Sequence, residues 1–173
     1  MNISFQKLTI PTPEIVKIID KWVNNPVLVP YMRPIRKKND LKEQFLVTLD
    51  TLNKRLVKEF VYMIFVNEQP VGQMSFQKNS ELLYHNQSGT AWVGLMVGEP
   101  SAQRMGVGTA AMEYLEEQIF IEGLKRIELG VFEFNKPALN LYNKRGYKEI
   151  GRNEAFTYWQ GRMWDNICME KYL

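Results

Sequence analysis

A chain of 173 residues, 45% hydrophobic and with a net charge of +3, can bury one sizeable core but lacks the basic stripe expected of a nucleic-acid binder. One cysteine, Cys168, precludes an internal disulfide, and one histidine, His85, leaves no His/Cys cluster for a metal. No apolar run approaches the roughly 18 residues of a membrane span, and the N-terminus lacks a signal peptide's charged start and apolar centre. The expectation is a cytoplasmic protein without a membrane or nucleic-acid partner, folded as a single domain over residues 1–173.

In chain order, Ile3 to Ile10 predicts a strand. Thr12-Pro13 supplies an N-cap and first-turn proline for a helix to Val23, with Ile15, Ile18, Ile19 and Trp22 on one face. Asn24-Asn25-Pro26 ends it, and a loop carrying Tyr31, Met32, Arg33 and Pro34 follows. Asp40 with Glu43 reads as a capping pair for a second helix, whose inner positions are Leu41, Phe45, Leu49, Leu52 and Leu56. Glu59 to Val66 and Val71 to Gln77 read as a hairpin around Asn67-Glu68-Gln69-Pro70, and residues 79–89 as a polar loop with Tyr84 and His85.

Thr90 to Gly98 predicts a strand and Val107 to Glu122 a helix, with apolar side chains at Val107, Ala110, Ala111, Tyr114, Leu115 and Ile119. Gly123 suits the position after its end. Ile127 to Phe132 reads as a strand and Pro137 to Lys144 as a short helix. Two strands, Tyr147 to Arg152 and Asn166 to Tyr172, complete the chain, with Gly161 near the turn between them. The order β-α-α-β-β-β-α-β-α-β-β is that of an α/β chain with a mixed sheet.

Between the Thr90 strand and the Val107 helix lies Gln103-Arg104-Met105-Gly106-Val107-Gly108. Strand, glycine-bearing loop and helix N-terminus together make an anion cradle, because first-turn amides lack intrahelical partners and the helix dipole favours negative charge there. Glycines at 106 and 108 let main chain approach a phosphate closely. The loop is neither GxxxxGK[ST] nor GxGxxG, so it supports neither a P-loop NTPase nor a dinucleotide fold.

The loop resembles the Q/R-x-x-G-x-G/A element of the GCN5-related N-acetyltransferases (GNAT), which seats the pyrophosphate of acetyl-CoA. A second block, Asn135 to Tyr147, resembles the same family's N-x-x-A-x-x-L-Y-x-x-x-G-F/Y element, through Asn135, Ala138, Leu141, Tyr142, Gly146 and Tyr147. Trp22-Val23-Asn24-Asn25-Pro26 is similar to the W-x-N-D-P segment of the branch holding ribosomal-protein and polyamine acetyltransferases, with Asn25 where that branch has Asp. The resemblance implies an acyl-CoA N-acyltransferase fold, with a mixed, mostly antiparallel sheet whose fourth and fifth strands splay to admit the pantetheine arm. It also implies acetyl-CoA as cosubstrate, held by Gln103, Arg104, Met105, Gly106, Val107, Gly108 and Thr109, by amides near Leu95, Met96 and Val97, and by Asn135, Ala138 and Tyr142. A homodimer is common among relatives.

Acyl transfer to an amine needs the reactants held together, a donor for the developing oxyanion and loss of the ammonium proton. At neutral pH removing that proton costs about 4–5 kcal/mol for an amine of pKa about 10.4. By the resemblance, Tyr142 is the acid for the leaving thiolate; its bland alternative is a packing tyrosine, as Asn135's is a helix N-cap. Glu81, His85, Glu99 and Glu133 are weighed as bases, but each is better suited to a solvated surface position and none is chosen. Tyr31, Arg33 and Tyr84 are candidates for acceptor binding; Tyr158 and Trp159 also suit that role, and Trp22 fits the core better. The implied function is direct acetyl transfer to a primary amine of a small molecule, amino acid, polyamine or peptide N-terminus. The alternative is a non-catalytic acyl-CoA-binding regulatory domain.

Overall fold

The computed structural model describes residues 1–173. Strand β1 (Ile3–Lys7) leads to helix α1 (Pro13–Val23), which Thr12 caps by accepting the Ile15 N–H at 3.3 Å. The predicted loop around Tyr31 contains a one-turn helix, α2 (Val29–Met32). Helix α3 (Leu49–Lys58) starts later than the Asp40/Glu43 reading places it. Thr48 caps it instead, in a reciprocal pair with Thr51, while Asp40 caps a 3-10 turn by accepting the Arg36 and Lys37 amides, both at 3.1 Å. The helix cannot run back through Phe45, because the Asn24 side chain takes both its N–H (2.8 Å) and its carbonyl (2.9 Å).

Strands β2 (Phe60–Val66) and β3 (Gln69–Lys78) form the expected hairpin, with Asn67 and Glu68 at positive φ in a two-residue turn. Then come β4 (Thr90–Val97), α4 (Val107–Ile121), β5 (Arg126–Phe132) and α5 (Lys136–Lys144). The last hairpin, β6 (Lys148–Trp159) and β7 (Arg162–Tyr172), is longer than predicted, because an irregularity between Asn153 and Thr157 interrupts the alternation that marks a strand.

All seven strands join one sheet in the order β1-β2-β3-β4-β5-β7-β6, antiparallel except for β4 with β5. Period-2 alternation divides its two faces. Tyr62, Ile64, Met74, Phe76, Val93 and Leu129 lie under α4 and α5 in the larger core. Val61 and Met63 face the other way and join Ile19, Trp22 and Leu52 of α1 and α3.

The parallel pair is the interruption that makes room for a site. Strands β4 and β5 share only Thr90↔Arg126, Ala91↔Ile127 and Trp92↔Glu128. Beyond these, β4 stays with β3 as far as Val97↔Gly72, and β5 stays with β7 as far as Phe132↔Asn166. The two halves of the sheet therefore part into a wedge, as the family resemblance implies. Buried Arg126 pins its closed end by donating to Thr90 Oγ1 (3.0 Å), Glu170 (2.8 Å) and Glu128.

Candidate active site

Which amides face the wedge follows from the β3–β4 ladder. Gly98 N–H donates to the Val71 carbonyl at 2.8 Å, and Asn79 N–H to the Thr90 carbonyl at 2.8 Å. An antiparallel ladder alternates, so the main-chain groups of Gly94 and Met96 also point at β3. Those of Val93, Leu95 and Val97 point away from it, towards the unpaired edge. Of the three residues the resemblance implicates, Leu95 and Val97 offer amides to the wedge, and Met96 offers its side chain. The Gln103 side-chain amide donates to the Val97 carbonyl at 3.2 Å, fastening the following loop to the strand end.

That loop delivers the uncapped end of α4. Ala110 N–H to Gly106 carbonyl, at 3.1 Å, is the helix's first closure, so the amides of Val107, Gly108 and Thr109 have no intrahelical partner. Helices α1, α3 and α5 each begin with a side chain that accepts such an amide, whereas α4 begins with Gly106 and has none. Between Gln103 and Ala110 no main-chain N–H donates to another part of the chain. Gly106 has a φ of 81° and Arg104 a φ of 60°, the turn that swings these amides outward. A Cβ on Gly108 would come within 3.3 Å of Leu141, so the missing side chain also brings α4 against α5. Unspent donors, a helix N-terminus and no competing cap fit a diphosphate.

Helix α5 supplies the opposite wall. Asn135 caps it, accepting the Ala138 N–H at 3.3 Å, so its capping role holds, and Asn135, Ala138 and Tyr142 all line the wedge. Tyr147 spends its hydroxyl on Glu116 at 3.1 Å, whereas the Tyr142 hydroxyl has no partner within the chain. Burial pushes the Tyr142 pKa up to about 12, so the group carries its proton at neutral pH and is free to donate it.

The wedge opens through the sheet as a cleft of about 290 Å³. On the far side it is lined by Tyr31 and Met32 of α2, Arg55 of α3, Gln73 and Ser75 of β3, and Trp92 of β4. Tyr31 leans on Phe134 (5.5 Å between ring centres) and Trp159 (6.4 Å), forming an aromatic wall at that mouth.

Two of the three predicted acceptor residues lie elsewhere. Arg33 stacks over the Phe45 ring at 4.1 Å and donates to the Glu43 carbonyl. Tyr84 belongs to a loop whose amides, at Tyr84 (2.7 Å) and His85 (3.1 Å), are held by the Glu128 carboxylate, and its ring lies against Gly151. Glu99 accepts from Lys21 Nζ (2.7 Å) and Trp22 Nε1 (2.8 Å), bonds that hold its carboxyl below the usual range. Glu133 faces Arg152 at 3.6 Å, and Glu81 is exposed. No Asp, Glu or His lines the cleft.

Sequence reasoning missed Arg55, Gln73 and Ser75. Their one signal is the strand around Met74, where Gln73 and Ser75 are polar yet buried on a face that meets helices.

The model of the acetyltransferase (GNAT) family matches residues 29–147. Among curated relatives, thialysine N-epsilon-acetyltransferase of Caenorhabditis elegans is 25% identical over 140 residues, covering 76% of this chain and 82% of the relative. A GNAT-family acetyltransferase from Streptococcus pneumoniae superimposes with a TM-score of 0.76 at 18% identity, over 99% of this chain and 100% of that one. Spermidine N-acetyltransferase from Vibrio cholerae, solved with CoA and spermine, gives a TM-score of 0.74 at 17% identity, over 98% and 95% of the two chains.

Proposed function

Because the chain belongs to the acetyltransferase (GNAT) family, we propose that it transfers an acetyl group directly to a primary amine seated in the same cleft as the acyl donor. It is an N-acetyltransferase with acetyl-CoA as cosubstrate. The observation that carries the finer reading is the uncapped N-terminus of α4, opening beside a wedge that also holds an unpartnered tyrosine hydroxyl.

When bound, acetyl-CoA supplies an acyl group activated as a thioester. The amides from Arg104 to Thr109 hold the diphosphate, with no side chain competing for them. Leu95 and Val97 present N–H groups to the developing oxyanion, a preorganised donation needing no rearrangement. Asn135 and Ala138 line the arm's path. The acceptor nitrogen attacks from the Tyr31 and Arg55 side. The acceptor ammonium first gives one proton to solvent. As the C–N bond forms and the C–S bond breaks, Tyr142 donates its phenolic proton to the departing sulfur. The second proton of the attacking nitrogen, passed through solvent, restores the phenol and leaves the amide and CoA thiol. Nothing in the site requires a covalent enzyme intermediate, since Cys168 is buried in β7.

Relatives named for thialysine and spermidine support an amine acceptor. The test is thiol release from acetyl-CoA by the purified protein, across amino acids, polyamines, simple amines and N-terminal peptides. Acyl transfer to at least one amine is expected. Binding of CoA with no acceptor consumed would overturn the reading.

A further inference from the structure

The acceptor end of the cleft has a chemistry of its own, and from it we propose that Arg55, Gln73 and Ser75 form a carboxylate-binding subsite. The acceptor is then a compact amine that also carries a carboxylate, an amino acid rather than a polyamine. This inference rests on the acetyl-transfer reading of the same cleft.

Charge is the first reason. Arg55 is the only ionic side chain lining the cleft, and no Asp or Glu faces it. A polyamine would bring several ammonium groups to a wall lined by no carboxylate, where the one ionic group is Arg55 and the carboxylate of Glu59 is already taken by its Nε. An amino acid brings its own anion.

Geometry is the second. Arg55 Nε donates to Glu59 at 2.8 Å, which fixes the plane of the guanidinium. Glu59 is itself tethered by Gln77 Nε2 at 3.3 Å. Nη1 donates to Gln73 Oε1 at 2.9 Å and Nη2 to Ser75 Oγ at 3.2 Å, both buried residues. Each terminal nitrogen carries a second hydrogen that no side chain takes. The two remaining hydrogens, on a guanidinium whose plane is fixed, are donors left for a carboxylate, with charge-assisted hydrogen bonds.

Position is the third. Ser75 is paired with Gly94 and Gln73 with Met96, so the floor beneath Arg55 lies one strand from the Leu95 and Val97 amides. Gly94 adds no side chain over Ser75, and the space between the two strands' outer faces stays open. An anion seated at Arg55 is therefore close to the acyl-bearing strand, which favours an amine only a few bonds from its carboxylate. Tyr31, backed by Phe134 and Trp159, gives the rest of the molecule an apolar wall.

The experiment pairs each amino acid with its decarboxylated amine: L-phenylalanine with phenethylamine, L-lysine with cadaverine, and spermidine alongside. Both thiol release and calorimetric binding to the CoA-loaded protein are read. The amino acids should exceed their decarboxylated partners by about ten- to hundredfold in kcat/KM and affinity, the effect of one charge-assisted pair. Arg55→Gln should collapse that ratio, chiefly through KM, and Arg55→Lys should restore part of it. Equal or better use of phenethylamine, cadaverine or spermidine by the wild-type protein overturns the subsite while leaving acetyl transfer standing. So does an Arg55→Gln ratio unchanged from wild type. If no amine is acetylated, the transfer reading fails, and calorimetry still decides the subsite: amino-acid binding lost in Arg55→Gln supports it, and no binding overturns it. Should Arg55→Gln fail to fold, the wild-type pairs alone decide between the two outcomes.

Discussion

Glu116 of α4 and Arg145 at the end of α5 form a bidentate pair, Nε at 3.1 Å and Nη2 at 2.7 Å. The same carboxylate takes the Tyr147 hydroxyl (3.1 Å) and Lys171 Nζ (2.7 Å). One buried group thus fixes the helix that presents the amide cradle to the helix that carries Tyr142. Their spacing is what a donor spanning both would need, so the clamp serves the site without touching it.

Glu116→Gln should therefore cost stability on the scale of a broken buried pair, about 3 kcal/mol, read by urea unfolding at pH 7. Burial alone would raise the Glu116 pKa, but the bonds and charges of Arg145 and Lys171 outweigh it and hold the group below the usual carboxylate range. A depressed folded pKa means the contribution is fully present above the unfolded value of about 4.3 and fades as pH falls through the folded one. The gap between wild type and Glu116→Gln should accordingly narrow on acidification below about pH 4. A gap that is constant with pH would show that the variant acts through packing.

Gly106→Glu should abolish CoA binding. The position has a φ of 81°, so any L-residue there costs about 1–2 kcal/mol, yet an added Cβ meets nothing within 4 Å. The chain should stay folded, with a modestly lowered melting temperature, while the new carboxylate sits among amides meant for phosphate. Wild-type affinity by calorimetry would remove the diphosphate from this loop.

How much of this is legible in the sequence depends on whether neighbours in space are neighbours in the chain. The cradle from Gln103 to Gly108 and the Asn135–Tyr147 block are contiguous, so residue spacing carries them. Arg55, Gln73 and Ser75 meet only because α3 crosses β3, and no local pattern encodes that crossing. The start of α3 is hidden because periodic leucines run through Phe45, while the side chain that stops the helix there, Asn24, is 21 residues away. Tyr84 sits in a polar loop that resembles a site; a buried carboxylate from β5, Glu128, holds that loop elsewhere.

Tyr142→Phe should lower kcat by about a hundredfold or more, the scale of one general acid, with CoA affinity within a fewfold of wild type. Its hydroxyl has no partner in the chain to lose, so the melting temperature should hardly move. Pre-steady-state thiol release separates chemistry from product departure. An unchanged kcat would return Tyr142 to a packing role beside Tyr147, whose ring centre is 5.7 Å away.

The cleft holds no carboxylate or imidazole to take the ammonium proton, and Glu99 is committed to Lys21 and Trp22, whose hydrogen bonds keep it ionised to lower pH than usual. With no base of pKa near neutrality, the reactive fraction of acceptor is set by the acceptor's own pKa, about 8 for a peptide's α-amine and about 10.4 for a lysine-like amine. The logarithm of kcat/KM should then rise with unit slope from about pH 6 towards that value. Tyr142 works in its protonated form, so its ionisation would produce a falling limb; with its pKa pushed up to about 12, that limb lies beyond the range assayed. Changing the acceptor from a peptide N-terminus to a lysine-like side-chain amine should move the plateau by about two pH units. A plateau that begins near pH 7 and ignores the acceptor would instead reveal a protein base, reached from outside the cleft's own lining.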